Sequence, residues 1–176
     1  MGLRHAILGL LSVRSMSGYE LKKAFDNSVN HFWSADQSQI YRTLSGLVDD
    51  GLATRRTVLQ DDRPNRHPHS LTEAGAAELH HWLTSPLAKG PTREPFLVRL
   101  FFADRLPIAE IRRLVAARRH EQAEALATLE AISIPELPDD ITYALRQATL
   151  TNGITHARAE LSWLDELDAQ LDRFDP

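Results

Sequence analysis

Ser38, Gln39, Arg42 and Ser45 are spaced so that, at ~100° per residue, they fall on one face of a helical stretch. Gly46 lies beside them, and Tyr41 and Thr43 flank them. A solvated helix face normally carries long Glu and Lys side chains, whereas this one is short, rich in hydrogen-bonding groups and only singly charged. Small side chains let a helix approach a surface closely, and Gln, Ser and Arg can bond base edges or hold phosphates. The chemistry these residues suit is recognition of a nucleic-acid duplex, with Tyr41 as a further contact. The plainer alternative is a solvated face with Tyr41 half-buried against a neighbouring hairpin.

A second basic group follows: Arg55, Arg56, Arg63 and Arg66, with Asn65. Arg63, Asn65 and Arg66 are candidates to lie along a phosphate backbone or minor groove, the alternative being a charged loop balanced by Asp61 and Asp62. Arg55 and Arg56 are neighbours on an extended segment, so they alternate faces and at most one can turn toward a duplex.

Other chemistries lack their parts. There is no cysteine, so neither a disulfide framework nor a thiolate metal site is open to the chain. His67 and His69, two apart on a strand, would share a face, while the adjacent His80 and His81 diverge on a helix. Zinc needs three or four converging ligands, the His-Glu-x-x-His pattern is absent, and no metal is expected. Nor is there a Gly-rich phosphate loop, a Gly-x-Ser-x-Gly elbow or a pair of carboxylates set for acid–base work. No catalytic residue and no cofactor are expected. Trp33, Trp82, Trp163, Phe96, Phe101 and Phe102 could line an effector pocket, although each serves equally as core filler.

The elements that must position the polar face can be read in order. Leu3, Ala6, Ile7, Leu10 and Leu11 recur at helical spacing and predict a first helix that is apolar on most sides. Ser17, with Glu20 three residues on, predicts a capping box that opens a second helix carrying Leu21, Ala24 and Phe25 inward. The third helix has Ile40, Leu44, Leu47 and Val48 as its apolar stripe; Ser34 and Gln37 are its expected capping box, and Gly51 its stop. Residues 52–60 alternate enough to be a strand, 61–65 compose a turn, and 66–71 are the returning strand. Pro68 should restrict that strand to a sheet edge or a distorted hairpin. Thr72 then caps a fourth helix through Trp82 and Leu83. Helix, helix, turn, helix and a two-stranded hairpin make the plan of a winged helix-turn-helix.

The order Gly-Tyr-Glu-Leu (18–21), Phe-Trp-Ser (32–34), Gln-Ile-Tyr-Arg (39–42) with Leu44, Asp-Gly-Leu (50–52), Arg-Pro (63–64) and Ser-Leu-Thr-Glu-Ala-Gly (70–75) resembles the PadR family of bacterial transcriptional regulators. The match runs almost continuously from residue 3 to about residue 84. Gln-Ile-Tyr-Arg combined with the wing's Arg-Pro is the specific part, since Leu-Thr-Glu-Ala-Gly is shared by many winged helices. The resemblance implies a homodimeric repressor on a palindromic DNA operator, with major-groove contacts from 36–48 and backbone contacts from the wing. It also implies small aromatic ligands as effectors. His-Pro-His (67–69) departs from the basic and aromatic pair common at that place.

Beyond residue 84 the character changes. Residues 85–92 are a Pro/Gly-rich linker between a DNA-binding domain, 1–84, and an α-helical dimerisation domain, 93–176. After a short apolar segment (Phe96 to Leu106), Pro107 opens a long helix with Ile108, Ile111, Leu114, Val115, Leu126, Leu129 and Ile132 on its inner face. Pro-Glu-Leu-Pro (135–138) breaks it. A second long helix carries Ile141, Leu145, Ala148, Ile154, Ala157, Leu161, Leu164, Leu167 and Leu171 along one side. Two such helices cannot bury both stripes on each other, so a second copy is expected to cover them. The expected dimer contacts are Leu3, Ile7, Leu145, Leu161, Leu164, Leu167 and Leu171, and the helical half is similar to the C-terminal region of the longer PadR-type proteins.

Composition sets the bounds. The 176 residues, 43% apolar and 25% charged, suffice for one domain or two small ones with a substantial core. The net charge of −4 is uneven, with nine Lys/Arg against nine Asp/Glu in residues 1–84 and eleven against fifteen thereafter. A neutral first half with clustered arginines can still bind DNA locally. No run of ~18 apolar residues and no basic-then-apolar leader appear, so a soluble cytoplasmic protein is expected. Two rivals stand beside a regulator: a winged-helix protein–protein interaction module without specific DNA binding, and a helical enzyme holding a cofactor.

Overall fold

The N-terminal helix α1 (Gly2–Val13) is the hub of the first half, because its sequence offers apolar side chains on several sides at once. Ile7, Leu8 and Leu11 are buried in one core with Met16, Leu21, Phe25, Ala35, Ile40, Leu44, Leu47 and Ala53. Around α1 pack α2 (Gly18–Asp26), α3 (Gln37–Asp49) and α4 (Glu73–Thr84). The computed structural model describes residues 2–58, 65–87, 93–134 and 140–174. The chain divides into two compact units, Met1–Ala88 and Lys89–Pro176.

Each helix start obeys its local chemistry. Ser17 caps α2, with the Glu20 side chain returning to the Ser17 backbone as expected. For α3 the expected cap, Ser34 with Gln37, is corrected to Asp36 with Gln39. Both pairs have capping-box spacing, and burial chooses between them. With Asp36 as the cap, Ala35 precedes it and Ile40 follows at the fourth helical position, and both enter the core as in a hydrophobic staple. Gly51 ends the helix at φ +72°, a conformation glycine adopts without strain. Thr72 caps α4 through the Gly75 backbone N–H. Gly75 has no space for a Cβ, which would sit against the Leu52 carbonyl oxygen and 2.8 Å from Leu71 Cδ1.

The sheet differs from the two-stranded wing read in the sequence. Strands β1 (Met16–Ser17), β2 (Ala53–Arg55) and β3 (Pro68–Leu71) form an antiparallel sheet in the order β1-β3-β2. A two-residue strand has no periodicity to read, so β1 was not legible. Pro68 therefore stands in the central strand rather than at an edge. It is tolerated as the first residue of that strand, where a missing N–H breaks no interior ladder bond, while its carbonyl accepts from Arg56 N–H at 3.0 Å. The register places Met16 and Arg55 opposite His69. Val58 and Arg66 extend the hairpin by one bridge, and the turn residues 61–64 lie outside the described residues.

The C-terminal unit holds α5 (Pro95–Phe101), a 3-10 turn (Ala103–Arg105), α6 (Ile108–Glu130) and α7 (Ile141–Leu171). Arg112 reaches Asp168 and Asp172, Arg118 reaches Glu160, Arg119 reaches Asp165, and Arg158 reaches Glu130. From the start of α6 to its end the partner on α7 moves back from Asp168 to Arg158, so α6 and α7 run antiparallel. Val115, Leu129, Leu150, Ala157 and Leu164 are buried in this unit. The Pro-Glu-Leu-Pro break and residues 88–92 of the linker lie outside the described residues. No described helix is long and apolar enough to cross a membrane.

Two of the expected dimer contacts are corrected here. Ile7 and Leu164 have no exposed surface in a single chain, because each is spent on its own core. Leu3, Leu161, Leu167 and Leu171 keep part of their surface, and Leu145 is 61% exposed.

His69 gives the sheet a pH dependence. It is buried in β3, and desolvation of the imidazolium holds its pKa below the ordinary 6.5. The unfolded chain then takes up this proton first, so the stability contribution is whole above pH 6.5 and is lost as pH falls below it. The urea midpoint should decline from pH 7.5 to pH 5.5 (the other histidines adding their own slopes), and His69→Phe should flatten that decline. An unchanged pH difference in the variant would remove His69 as its source.

Candidate nucleic-acid interface

The polar face of α3 points outward because its other face is consumed. Ile40, Leu44 and Leu47 are buried, which turns Ser38, Gln39, Arg42 and Ser45 to solvent. These four share one surface, as their spacing requires. Their side chains are not equally available, however. Asp36 Oδ1 accepts from the Gln39 backbone N–H and the Ser38 hydroxyl, both at 2.7 Å. Gln39 Oε1 in turn accepts from Asp36 N–H at 3.0 Å, which leaves its amino group and one oxygen lone pair to bond outward. Those two bonds, from the Gln39 amide first and the Ser38 hydroxyl second, hold the Asp36 carboxyl below its usual range. Arg42 Nε lies 3.3 Å from the Ser38 carbonyl oxygen, so its terminal amino groups remain for a ligand.

Tyr41 sits elsewhere than the plainer sequence reading put it. Its ring covers Gly18 at the start of α2, where a Cβ on Gly18 would come within 2.6 Å of Tyr41 Cε1. The tyrosine is 40% exposed and joins α3 to α2. Gly18 is thus a packing requirement of the interface, and its position directly after a cap was the only hint of it in the sequence.

In the wing, Asn65 and Arg66 are exposed, and Arg63 lies outside the described residues. Arg66 is fixed at both ends: its N–H and carbonyl bond Val58 at 3.0 and 2.8 Å, and its Nη2 donates to Glu20 Oε1 at 2.8 Å. Glu20 is held down to about pKa 2, by the Ser17 backbone N–H first, then the Ser17 hydroxyl and Arg66. Arg14, which the sequence reading did not consider, approaches the same Glu20 oxygen at 3.8 Å. Arg55 and Arg56 are both exposed. His67 and His69 do not act as a pair. The regular strand begins only at Pro68, so His67 turns to Thr57 while His69 is buried.

The aromatic residues scatter. Trp82 stacks on the buried His5 at 4.7 Å, and His5 in turn meets Glu78 at 3.0 Å. Trp33 lies over Gly2, and Phe101 meets Phe102 edge-on in the open. Two of them line hollows: Trp33 borders an open one of about 510 Å³ with Gln39 and Arg42, while the Phe96 ring meets Trp163 edge-on and lies beneath the Arg118 guanidinium, beside a cleft of about 310 Å³ bounded also by Arg99, Leu114, Glu94 and Glu121.

Comparison with known proteins matches both halves. Residues 7–81 match the transcriptional regulator PadR-like family, and residues 92–172 match the virulence activator alpha C-terminal family. The probable transcriptional regulator Rv1176c of Mycobacterium tuberculosis is 34% identical, over 95% of this chain and 96% of that protein. The negative transcriptional regulator PadR of Bacillus subtilis is 30% identical, over 97% and 98%. The crystal structure of Bacillus subtilis PadR in complex with operator DNA superposes with a TM-score of 0.83 at 29% identity, covering 97% of this chain and 99% of that one. The same protein in complex with p-coumaric acid superposes with a TM-score of 0.79 at 28% identity, covering 97% and 98%. With a capped third helix, a small antiparallel sheet and both halves matched, the chain belongs to the PadR-like family of transcriptional regulators.

Proposed function

We propose that this regulator is a cytoplasmic homodimer that represses transcription by binding a palindromic operator. Residues 1–84 bind DNA, 85–92 link, and 93–176 dimerise. The observation that carries the reading is the outward face of α3. Four short or flexible polar side chains stand on a helix whose cap and apolar stripe leave its orientation no freedom. The fold it shares with Bacillus subtilis PadR bound to operator DNA supports placing that face in a major groove. Ser38, Gln39, Arg42 and Ser45 then face base edges, Tyr41 faces a phosphate from the α2 side, and Arg63, Asn65 and Arg66 follow the backbone. Two recognition helices must land about one duplex turn, ~34 Å, apart to read both half-sites. The adaptor reading predicts no such sequence preference.

Dimerisation follows from apolar surface that one chain leaves open. Helix α5 buries none of its residues, and Val98, Phe101 and Phe102 with Ile141 and Leu145 are more than half exposed. A small aromatic effector suits the cleft beside Phe96, where the ring offers a stacking face and Arg99 a cation, while Arg118 is already paired with Glu160 and Glu121, and Glu94 also lines the cleft. It would act by binding one spacing of the recognition helices better than the other.

Three measurements test the reading. Against the protein's own upstream DNA, Arg42→Ala should cost ~1–3 kcal/mol on the operator and little on scrambled duplex; equal losses on both would put Arg42 on phosphate, and no loss would sink the base contact. Leu145→Asp should yield folded monomer in sedimentation, with operator affinity lost, and a variant that stays dimeric would clear Leu145 of the interface. Adding p-coumaric acid should release operator from the parent and release less from Phe96→Ala, whereas identical release would place the effector elsewhere.

A further inference from the structure

Glu20 divides its carboxylate between two tasks. Oε2 accepts from the Ser17 N–H at 2.8 Å and the Ser17 hydroxyl at 2.7 Å, which closes the α2 cap. Oε1 accepts from Arg66 of the wing at 2.8 Å and has Arg14, from the turn after α1, at 3.8 Å. Two guanidinium groups from distant parts of the sequence thus gather on one oxygen, two positive charges against one negative. Both remain more than half exposed at their side chains, 51% for Arg66 and 58% for Arg14.

Resting on the DNA-binding reading above, we propose that Glu20 is a positioning residue for DNA: locked by Ser17 through one oxygen, it uses the other to present Arg66 and Arg14 together to a single backbone phosphate. The physical gain is prior ordering. A free arginine surrenders large rotamer freedom when it grips a phosphate. Arg66 has already surrendered it, since its main chain is bridged to Val58 and its Nη2 to Glu20. A guanidinium carries five N–H donors, and Glu20 engages one from Arg66, so a forked pair remains for a phosphate. The depressed pKa of Glu20 agrees, because it keeps the carboxylate charged at every pH where DNA binding is measured. Arg14 becomes a phosphate contact that the sequence did not suggest.

The test separates positioning from simple helix support. Glu20→Gln keeps the capping box, since glutamine closes such boxes as glutamate does, but removes the charge facing Arg66. Fluorescence anisotropy on operator and scrambled duplexes over a range of salt should show Glu20→Gln weakening operator binding about 3- to 10-fold without reducing the salt slope. Arg66→Ala and Arg14→Ala should each lower that slope by about one. In the Arg66→Ala background most of the Glu20→Gln loss should vanish, which is the coupling of a double-mutant cycle. Binding by Glu20→Gln as tight as the parent, or tighter, would mean that Glu20 neutralises the arginines instead of presenting them. An undiminished loss in the Arg66→Ala background would mean that it acts only through α2. Either result overturns the inference while leaving the DNA-binding reading intact. A parent protein that binds neither duplex removes that reading and this inference with it.

Discussion

The buried stripe of α3 is the constraint from which the interface follows. Ile40, Leu44 and Leu47 are each covered by the core that α1 organises, and burying such a side chain contributes about 1.5–3 kcal/mol. Rotating the helix by one residue would carry the stripe out of the core and bring Tyr41 and Ser45 into it. The direction of Ser38, Gln39 and Arg42 is therefore set by hydrophobic burial on the far side. Gly51 and the Asp36 cap fix where the helix begins and ends, and Tyr41 on Gly18 fixes its angle to α2.

The local part of this was legible in the sequence, and the long-range part was not. Helical periodicity, caps such as Ser17 with Glu20 and Thr72, and the glycine stop are short-range signals, and each is visible within a few residues. The α3 cap was misread by two positions because two overlapping stretches satisfy the same pattern, and only the burial of Ala35 separates them. Strand β1 is two residues long, and Pro68 reads as an edge residue until the sheet order is known. The same limit hid the second task of Glu20. Its partner in the cap is three residues away, whereas Arg66 is brought to it by the wing, and no spacing rule connects them. His5 is a parallel case: a polar residue in an apolar helix is buried because Glu78 and Trp82 arrive from α4.

In the helical half, the sequence showed two apolar stripes without saying how each would be divided. A single chain buries part of each stripe, Val115 and Leu129 from one and Ala157 and Leu164 from the other, and adds Leu150, which lies off the expected stripe, while Ala148 stays exposed. The ion pairs between α6 and α7 are largely exposed and individually weak, so their main effect is to select one register of the two helices. What remains open, Ile141 and Leu145 on the second stripe among others, is what the chain can offer to a partner.

Gln39 serves its own helix and the outward face at once. An adenine is usually read by both ends of an amide, one accepting and one donating, but here the carbonyl end is held by the backbone of Asp36. In that state the amino group is fully free to donate and the carbonyl oxygen keeps one of its two lone pairs for a further donor. The bond to Asp36 N–H fixes the direction in which that amide faces, so whatever it meets must fit one orientation of the side chain. The side chain offered outward by α3 is thus oriented by the same bond that closes the helix terminus.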